Sequence, residues 1–377
     1  MKRLAWVRAG GRCLLCNQYL ASEHLGGPGP IRQIGEVAHI VGESRQGPRG
    51  DSVTPESRRN EADNLMLLCP SHHTEADSGR LSDELYTEDY LRGHKRTKEA
   101  WVKFVTGLSS ERTTTVLRLF GDVRSSTNLV GVDEAAEATM REQLRTPHYL
   151  PDPRGVGLTI DLTTVPDPGT TDYWSACITA MQPELGRLRA AIRNGDTSHV
   201  SVFAFALIPI LVALGYLLDD ANNVDIYDRH RETNSWLWDA EAPMIAFKYR
   251  IPETRDATEA AVLVNASGTI EPAELPAPMR AIPQIVVEPV GDHISGPSTF
   301  ASHATLDAFV DVIRRLLAAL EEHKQLAHVH LFLASPISAA IAIGRAWPHD
   351  NAAPRFTVYH RTDNTYQPAI SFPISEE

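Results

Sequence analysis

No disulfide framework can be built from this sequence. It has four cysteines in 377 residues; three fall in the first 69 and only Cys177 lies elsewhere. That usage fits a reducing compartment, so a cytoplasmic location is expected. A signal peptide is missing as well, because the first apolar stretch is short and broken by Arg8 and Arg12. One apolar run, Val200 to Leu218, approaches membrane-spanning length. It begins as a strand would, has His199 at its edge and carries Pro209, so a buried strand and helix are expected and no membrane contact. Excess positive charge is also lacking. The formal net charge is −12: residues 1–105 hold 15 Lys and Arg against 14 Asp and Glu, and the remainder holds 21 against 34. The acidic remainder is a poor nonspecific nucleic-acid binder. Any DNA contact therefore belongs to the near-neutral first third, where Arg45, Arg49, Arg58 and Arg59 flank a loop, as DNA contacts or as a solvated cluster. There is no long basic recognition helix and no repeated DNA-reading module, so such contacts would go mainly to phosphates. With 42% hydrophobic and 22% charged residues, the chain otherwise has the composition of two or three ordinary globular domains.

What is present starts at residue 13. Cys13 and Cys16 form one pair at two-residue spacing, and Cys69 and His72 form another. These are the ligand types and spacings of a closed tetrahedral zinc site. Its role would be structural, since all four positions are filled and a small, loop-rich head needs a staple. Around it the pattern predicts a short helix over residues 1–12, a strand over Gln33 to Ile40 and a loop over Ser44 to Asn60. A second short strand is predicted over Asn64 to Leu68, then a helix from about His72 and another over Leu85 to Val105. Three polar residues are left over: His39, Asn64 and His73.

That set, in the order Ala38-His39-Ile40, Asn64 and Cys69-Pro-Ser-His72-His73, resembles the HNH (ββα-metal) nucleases. The resemblance implies metal-dependent phosphodiester hydrolysis of double-stranded DNA. His39 would be the general base, since a neutral imidazole near pH 7 can accept the proton of an attacking water. His73 would bind the catalytic cation. Asn64 would complete that metal shell or fix the loop that aims His39, and Asp77, one turn after His73, would face the metal too. Many HNH proteins place a metal-binding Asp or His directly before the base, where this chain has Ala38. An oxygen-rich, partly hydrated shell suits Mg²⁺ or Mn²⁺.

The second half contains an internal repeat. His199-Val-Ser-Val-Phe203 matches His328-Val-His-Leu-Phe332, and without gaps Ala213-Leu-Gly215 aligns with Ala342-Ile-Gly344. Both copies continue into β-rich stretches, at Val224 to Arg229 and Phe356 to Arg361. Amphipathic helices precede them at Tyr173–Arg193 and Leu306–His323, and further strands are expected at Gly157 to Leu162 and Ala261 to Val264. Strand, Pro-containing turn, helix and strand make a βαβ crossover, the unit of a parallel Rossmann-like sheet. Two such halves would pack about a pseudo-two-fold axis, with a ligand crevice beyond the carboxyl ends of their strands. Residues expected at this crevice are Ser335 and Pro336 in the turn, Arg229, Arg231 and Arg361 for phosphates, and Trp236, Trp238, Tyr359 and Tyr366 for stacking on bases. The alternative is that the aromatics are core and the arginines surface.

This half resembles the SAVED domain, a fusion of two CARF-like Rossmann units that senses cyclic oligonucleotides. The likeness rests on the Phe332-Leu-Ala-Ser-Pro336 turn, the Ala342-x-Gly344 helix and the terminal Tyr366 to Phe372 segment. The expected fold class is therefore α/β: a zinc-stapled ββα-metal domain at residues 1–108, a linker and start of the sensor at 109–150, and two Rossmann halves at about 151–260 and 261–377. HNH–SAVED fusions form an effector type of bacterial CBASS anti-phage systems. The resemblance thus implies a DNase switched on by a cyclic di- or trinucleotide, through a homo-oligomer enlarged on ligand binding. Two other readings are a restriction-type nuclease whose C-terminal half reads DNA, which the acidic second half disfavours, and a zinc DNA-binding protein without catalysis.

Overall fold

This computed structural model describes residues 1–22, 32–78, 84–123, 126–127, 129–151, 157–165, 172–219, 223–230, 232–252, 257–291, 295–323, 325–349, 353–362 and 365–374. Arg231, expected at the crevice, lies outside the described residues. The chain divides into two compact units, Met1–Leu108 and Ser109–Glu377. Among the described residues no helix is long and apolar enough to cross a membrane.

The first unit holds helices α1 (Lys2–Arg8), α2 (Pro70–Asp77) and α3 (Glu88–Gly107) and a hairpin of strands β1 (Glu36–His39) and β2 (Leu65–Leu68). The strands pair antiparallel, with His39 opposite Leu65 and Glu36 opposite Leu68. All four residues of β2 are buried, which is why it reads as an unbroken apolar run. Helix α2 starts two residues ahead of the expected His72, because Cys69 caps it and Pro70, with its fixed φ, occupies the first turn. Thr87 caps α3 through a 3.2 Å bond from the Tyr90 N–H. The core is small, built on Leu14, Leu20, Ile40, Met66, Leu67 and Leu91.

The second unit contains two sheets. In the first, β3 (Ser109–Phe120) lies between β6 (Val200–Phe205) and the pair β4 (Arg145–His148) and β5 (Leu158–Asp161), with β7 (Val224–Ile226) outside β6. All of these pairings are parallel. The second sheet runs β8 (Phe247–Arg250), β10 (Gln284–Pro289), β9 (Glu259–Asn265), β11 (His328–Ala334), β12 (Arg355–Thr362), β13 (Thr365–Phe372). Its two edge pairings are antiparallel and the interior ones parallel. The order β7-β6-β3 in one sheet corresponds to β12-β11-β9 in the other, so the repeat seen in the sequence is a repeat of sheet topology. Residues 109–150 are more than a linker: β3 is the central strand of the first sheet, and α4 (Val132–Gln143) packs beside β4 and β3. The boundary between the halves also lies ahead of Phe247, where the second sheet begins, rather than near residue 260.

The short helix α7 (Ala277–Ala281) precedes β10, and helices α5 (Tyr173–Arg193), α6 (Ile208–Leu218), α8 (His303–Glu322) and α9 (Ile337–Ala346) pack with both sheets in one apolar core. At its centre α6 crosses α9 with backbone against backbone. A Cβ placed on Gly215 would lie 2.0 Å from the Ile341 carbonyl oxygen, and one on Gly344 would lie 2.0 Å from that of Val212. The two contacts are mirror positions in the repeat, so the pseudo-two-fold axis passes between these glycines. The Val200 to Leu218 run is β6 and α6, buried as a strand and helix.

Candidate functional site

The metal-ligand atoms of Cys13, Cys16, Cys69 and His72 all lie within 4.8 Å of one another, the one such His/Cys/Asp/Glu group among the described residues. Cys16 Sγ is 4.0 Å from Cys69 Sγ, Cys13 Sγ is 3.9 Å from His72 Nδ1, and Cys69 Sγ is 3.1 Å from that nitrogen. A tetrahedron with ligands about 2.0–2.3 Å from its centre has edges of about 3.3–3.8 Å, so the donor set and spacing fit zinc. Burial raises the Cys13 thiol, but hydrogen bonds from the backbone of Cys16, Cys69 and Leu15 outweigh it and bring the pKa below its ordinary value. The four residues come from the loop after α1 and from the first turn of α2. An ion there would tie α2 to the loop after α1.

On the other side of α2 stands His73. Its Nδ1 meets the Glu36 carboxylate and its Nε2 lies 3.2 Å from Asp77 Oδ2, one turn along the helix. Asp77 is held from behind by Arg49, whose Nη2 is 3.3 Å from Oδ1. The imidazole and the two carboxylates are partly exposed. A hard, partly hydrated cation suits a nitrogen and carboxylate set of this kind. Glu36 was not legible as a site residue; its only sequence signal is that it shares a strand face with Ala38, two residues on, where many HNH proteins carry an acid or histidine one position before the base.

His39 ends β1, half-buried, with Nε2 2.9 Å from Asn60 Oδ1. Asn64 is 2% exposed and its amide is fully engaged. Oδ1 accepts from the Val41 N–H at 3.0 Å, and Nδ2 donates to the carbonyls of Val41 and Arg59, both at 2.8 Å. Asn64 thus clamps the loop to the end of β1 and has no atom left for a cation, so a place in the metal shell does not fit it.

The loop's arginines divide by burial. Arg59, 1% exposed, donates to the carbonyls of Thr54, Gly42 and Gly50 at 3.1, 3.0 and 2.8 Å. Arg49 donates to the Ile40 and Ala76 carbonyls. These two are internal staples of the loop rather than DNA contacts or solvated charge. Arg45 and Arg58 are exposed and lie beside Glu56 and Glu61.

In the second unit the residues expected to stack on bases are mostly core. Phe203 stacks on Tyr227 at 4.3 Å and meets Trp236 edge-on at 5.3 Å. In the other half Phe332 stacks on Tyr359 at 4.4 Å and meets Tyr366 edge-on at 5.3 Å. The triplets are repeat equivalents beneath the outer layers of the two sheets. Burial raises the Tyr366 phenol to about 12. Trp236, Tyr359 and Tyr366 therefore offer no free ring face to a ligand. The expected phosphate-binding arginines are already paired in the same symmetric way, Arg229 with Glu134 and Asn234, and Arg361 with Glu274.

Pro336 caps α9, and the N-terminus of that helix is occupied from within. The buried Asp228 carboxylate accepts from the Ser338 hydroxyl at 2.8 Å and from the backbone N–H groups of Arg229, Ser338 and Ile337. Burial raises Asp228 to about 6 against those bonds. The Ser335–Pro336 turn is thus no open phosphate cradle, since a carboxylate already takes the anion's place. Of the expected set, Trp238 borders a cavity. This cavity, of about 380 Å³, is lined by His230, Ser235, Trp238, Asp239 and Ser298 among others. His230 Nε2 has no hydrogen-bond partner among the described residues, and burial lowers the pKa of this ring.

Residues 181–372 match the SAVED family, described as the SMODS-associated and fused to various effectors sensor domain, and residues 13–82 match the HNH endonuclease family HNH_2. The chain belongs to the SAVED sensor-domain family and carries an HNH domain at its N-terminus. No curated protein matches it. Solved structures that resemble it include the Acinetobacter baumannii Cap4 SAVED/CARF-domain containing receptor with the cyclic trinucleotide 2′3′3′-cAAA, at 14% identity and a TM-score of 0.43 over 76% of this chain and 55% of that one. The Moraxella osloensis Cap4 SAVED/CARF-domain containing receptor aligns at 14% identity and a TM-score of 0.41, over 77% of this chain and 59% of that one. The chain spans a little over half the length of these receptors.

Proposed function

We propose that this chain is a metal-dependent DNA endonuclease that its SAVED half switches on when it binds a cyclic di- or trinucleotide, serving as an abortive-infection effector in anti-phage defence. The observation that carries the reading is one chain joining a ββα hairpin, with His39 and His73 in HNH order, to a duplicated Rossmann sensor. His39 accepts a proton from water as the water oxygen forms its bond to phosphorus and the bond to the 3′ oxygen breaks; that oxygen then takes a proton from solvent. Mg²⁺ or Mn²⁺ held by His73 and Asp77 would neutralise charge on the phosphate and the departing oxygen. Asn64 holds the loop in place behind His39. Zinc at Cys13, Cys16, Cys69 and His72 would fix α2 and so the position of His73.

In this proposal the nuclease is residues 1–108 and the sensor starts at Ser109. The 380 Å³ cavity beside Trp238 and His230 takes a base of the ligand, a volume within the range of small-molecule sites. Ligand binding enlarges a homo-oligomer and brings heads together on double-stranded DNA, with little sequence preference. The reading is tested by His39→Ala. Plasmid cleavage should fall by about 10²-fold or more while zinc content and melting temperature hold. Unchanged cleavage by this variant would overturn the assignment of His39, and no cleavage by the unaltered chain under any activating condition would favour a zinc DNA-binding protein.

A further inference from the structure

A general base must present a lone pair, and a neutral histidine has two nitrogens of which one carries the proton. Which nitrogen is free in His39 follows from its neighbours. Its Nε2 lies 2.9 Å from Asn60 Oδ1, and Asn60 Nδ2 lies 3.1 Å from Glu43 Oε1. A carboxylate can only accept, so the Asn60 amide must turn its NH₂ to Glu43 and its carbonyl oxygen to His39. That oxygen can only accept as well. Hence Nε2 carries the proton and Nδ1 keeps the lone pair.

The arrangement is rigid where it needs to be. Asn64 Nδ2 donates both to the Val41 carbonyl, between His39 and Glu43, and to the Arg59 carbonyl, next to Asn60. Arg59 in turn donates to the Gly42 carbonyl, and the Ile40 N–H donates to the Asn64 carbonyl. The strand end with His39 and Glu43 and the loop with Asn60 are therefore one clamped piece.

We propose that Asn60, oriented by Glu43, is a positioning residue that fixes His39 in the Nε2–H tautomer and makes Nδ1 the atom that takes the proton from water. This rests on the nuclease reading only for the identity of the acceptor; the tautomer itself can be measured without any cleavage. In the order His39, Asn60, Glu43, an acceptor faces the base's N–H and a carboxylate lies behind that acceptor.

The test uses the full chain, labelled with ¹⁵N at histidine, with the His39 signals assigned by their loss in His39→Gln. The expected spectrum of neutral His39 has a protonated Nε2 and an unprotonated Nδ1, and Asn60→Leu should shift it to a mixture of the two tautomers. A protonated Nδ1 in the unaltered chain, or an unchanged tautomer in Asn60→Leu, would overturn the proposal whether or not the protein cuts DNA. In plasmid cleavage with Mn²⁺ and a panel of cyclic di- and trinucleotides, Asn60→Leu should lower kcat about 10- to 100-fold with KM nearly unchanged. The pair Asn60→Asp with Glu43→Gln swaps donor and acceptor on that link while keeping an acceptor on Nε2. It should restore the tautomer and most of the rate; failure to restore the tautomer would also count against the proposal.

Discussion

The two units of this chain are held together by different physics. The first has a small core and relies on directional bonds: four potential metal ligands converging on one point, and two buried guanidiniums, Arg59 gathering carbonyls around its own loop and Arg49 reaching those of Ile40 and Ala76. The second is held by an apolar core spanning two sheets and four helices, and by a helix crossing so close that only glycine fits on either side. The difference teaches where each unit is fragile. Directional bonds fail together when one partner is removed, whereas a packed core loses stability in steps set by volume.

The sharpest way to break the comparison is Cys69→Ser. With one ligand of the proposed zinc site gone, most of a contribution of about 10 kcal/mol or more would be lost and the first unit should unfold. Zinc content by mass spectrometry should drop below one per chain, with hydrogen exchange rising throughout residues 1–108 and hardly at all beyond Ser109. Next in size is Gly344→Val, which forces α6 and α9 apart. A loss of about 3–4 kcal/mol in the second unit's unfolding transition is expected, with full zinc retained. Arg59→Met leaves three loop carbonyls without their donor and should cost about 3 kcal/mol in the first unit, read by urea denaturation. In the proposed nuclease it should also lower cleavage, because the same loop holds Asn60 beside His39.

The smallest expected effect is one of pH. Asp228 has a folded pKa raised to about 6, above its ordinary value of 3.8, so the folded state holds its proton more tightly than the unfolded one. Its contribution favours folding at low pH and is lost as pH rises from about 4 through 6. Asp228→Asn keeps the acceptor for Ser338 and removes the charge. The variant should gain about 2 kcal/mol relative to the parent at pH 7.5 and little at pH 4 in paired thermal melts.

Much of this architecture was readable because its signals are local or repeated. Paired Cys and His spacings reported the group that could hold a metal, and the ungapped match of Ala213-Leu-Gly215 with Ala342-Ile-Gly344 reported two equivalent helices, though not that they cross at those glycines. What escaped the sequence depends on partners far along the chain. Strand β3 reads as part of a linker in the sequence because its buried Thr114 and Arg118 are polar; they bond to His199, Ser201, Thr159 and the Val130 carbonyl. The aromatics after each second strand sit where a ligand loop would be expected, but they belong to the Phe203 and Phe332 stacks. Asp228 capping a helix of the other half, Glu36 beside His73 and Asn60 behind His39 leave no spacing pattern. A pairing across the fold has no period.

The most direct measurement is plasmid cleavage by the full chain with Mg²⁺ or Mn²⁺, with and without each member of a panel of cyclic di- and trinucleotides. Cleavage that appears with one or two panel members, and is absent both without ligand and in His39→Ala, is the expected result. Cleavage of equal rate with no ligand present would contradict a sensor-gated nuclease and point to a restriction-type enzyme instead.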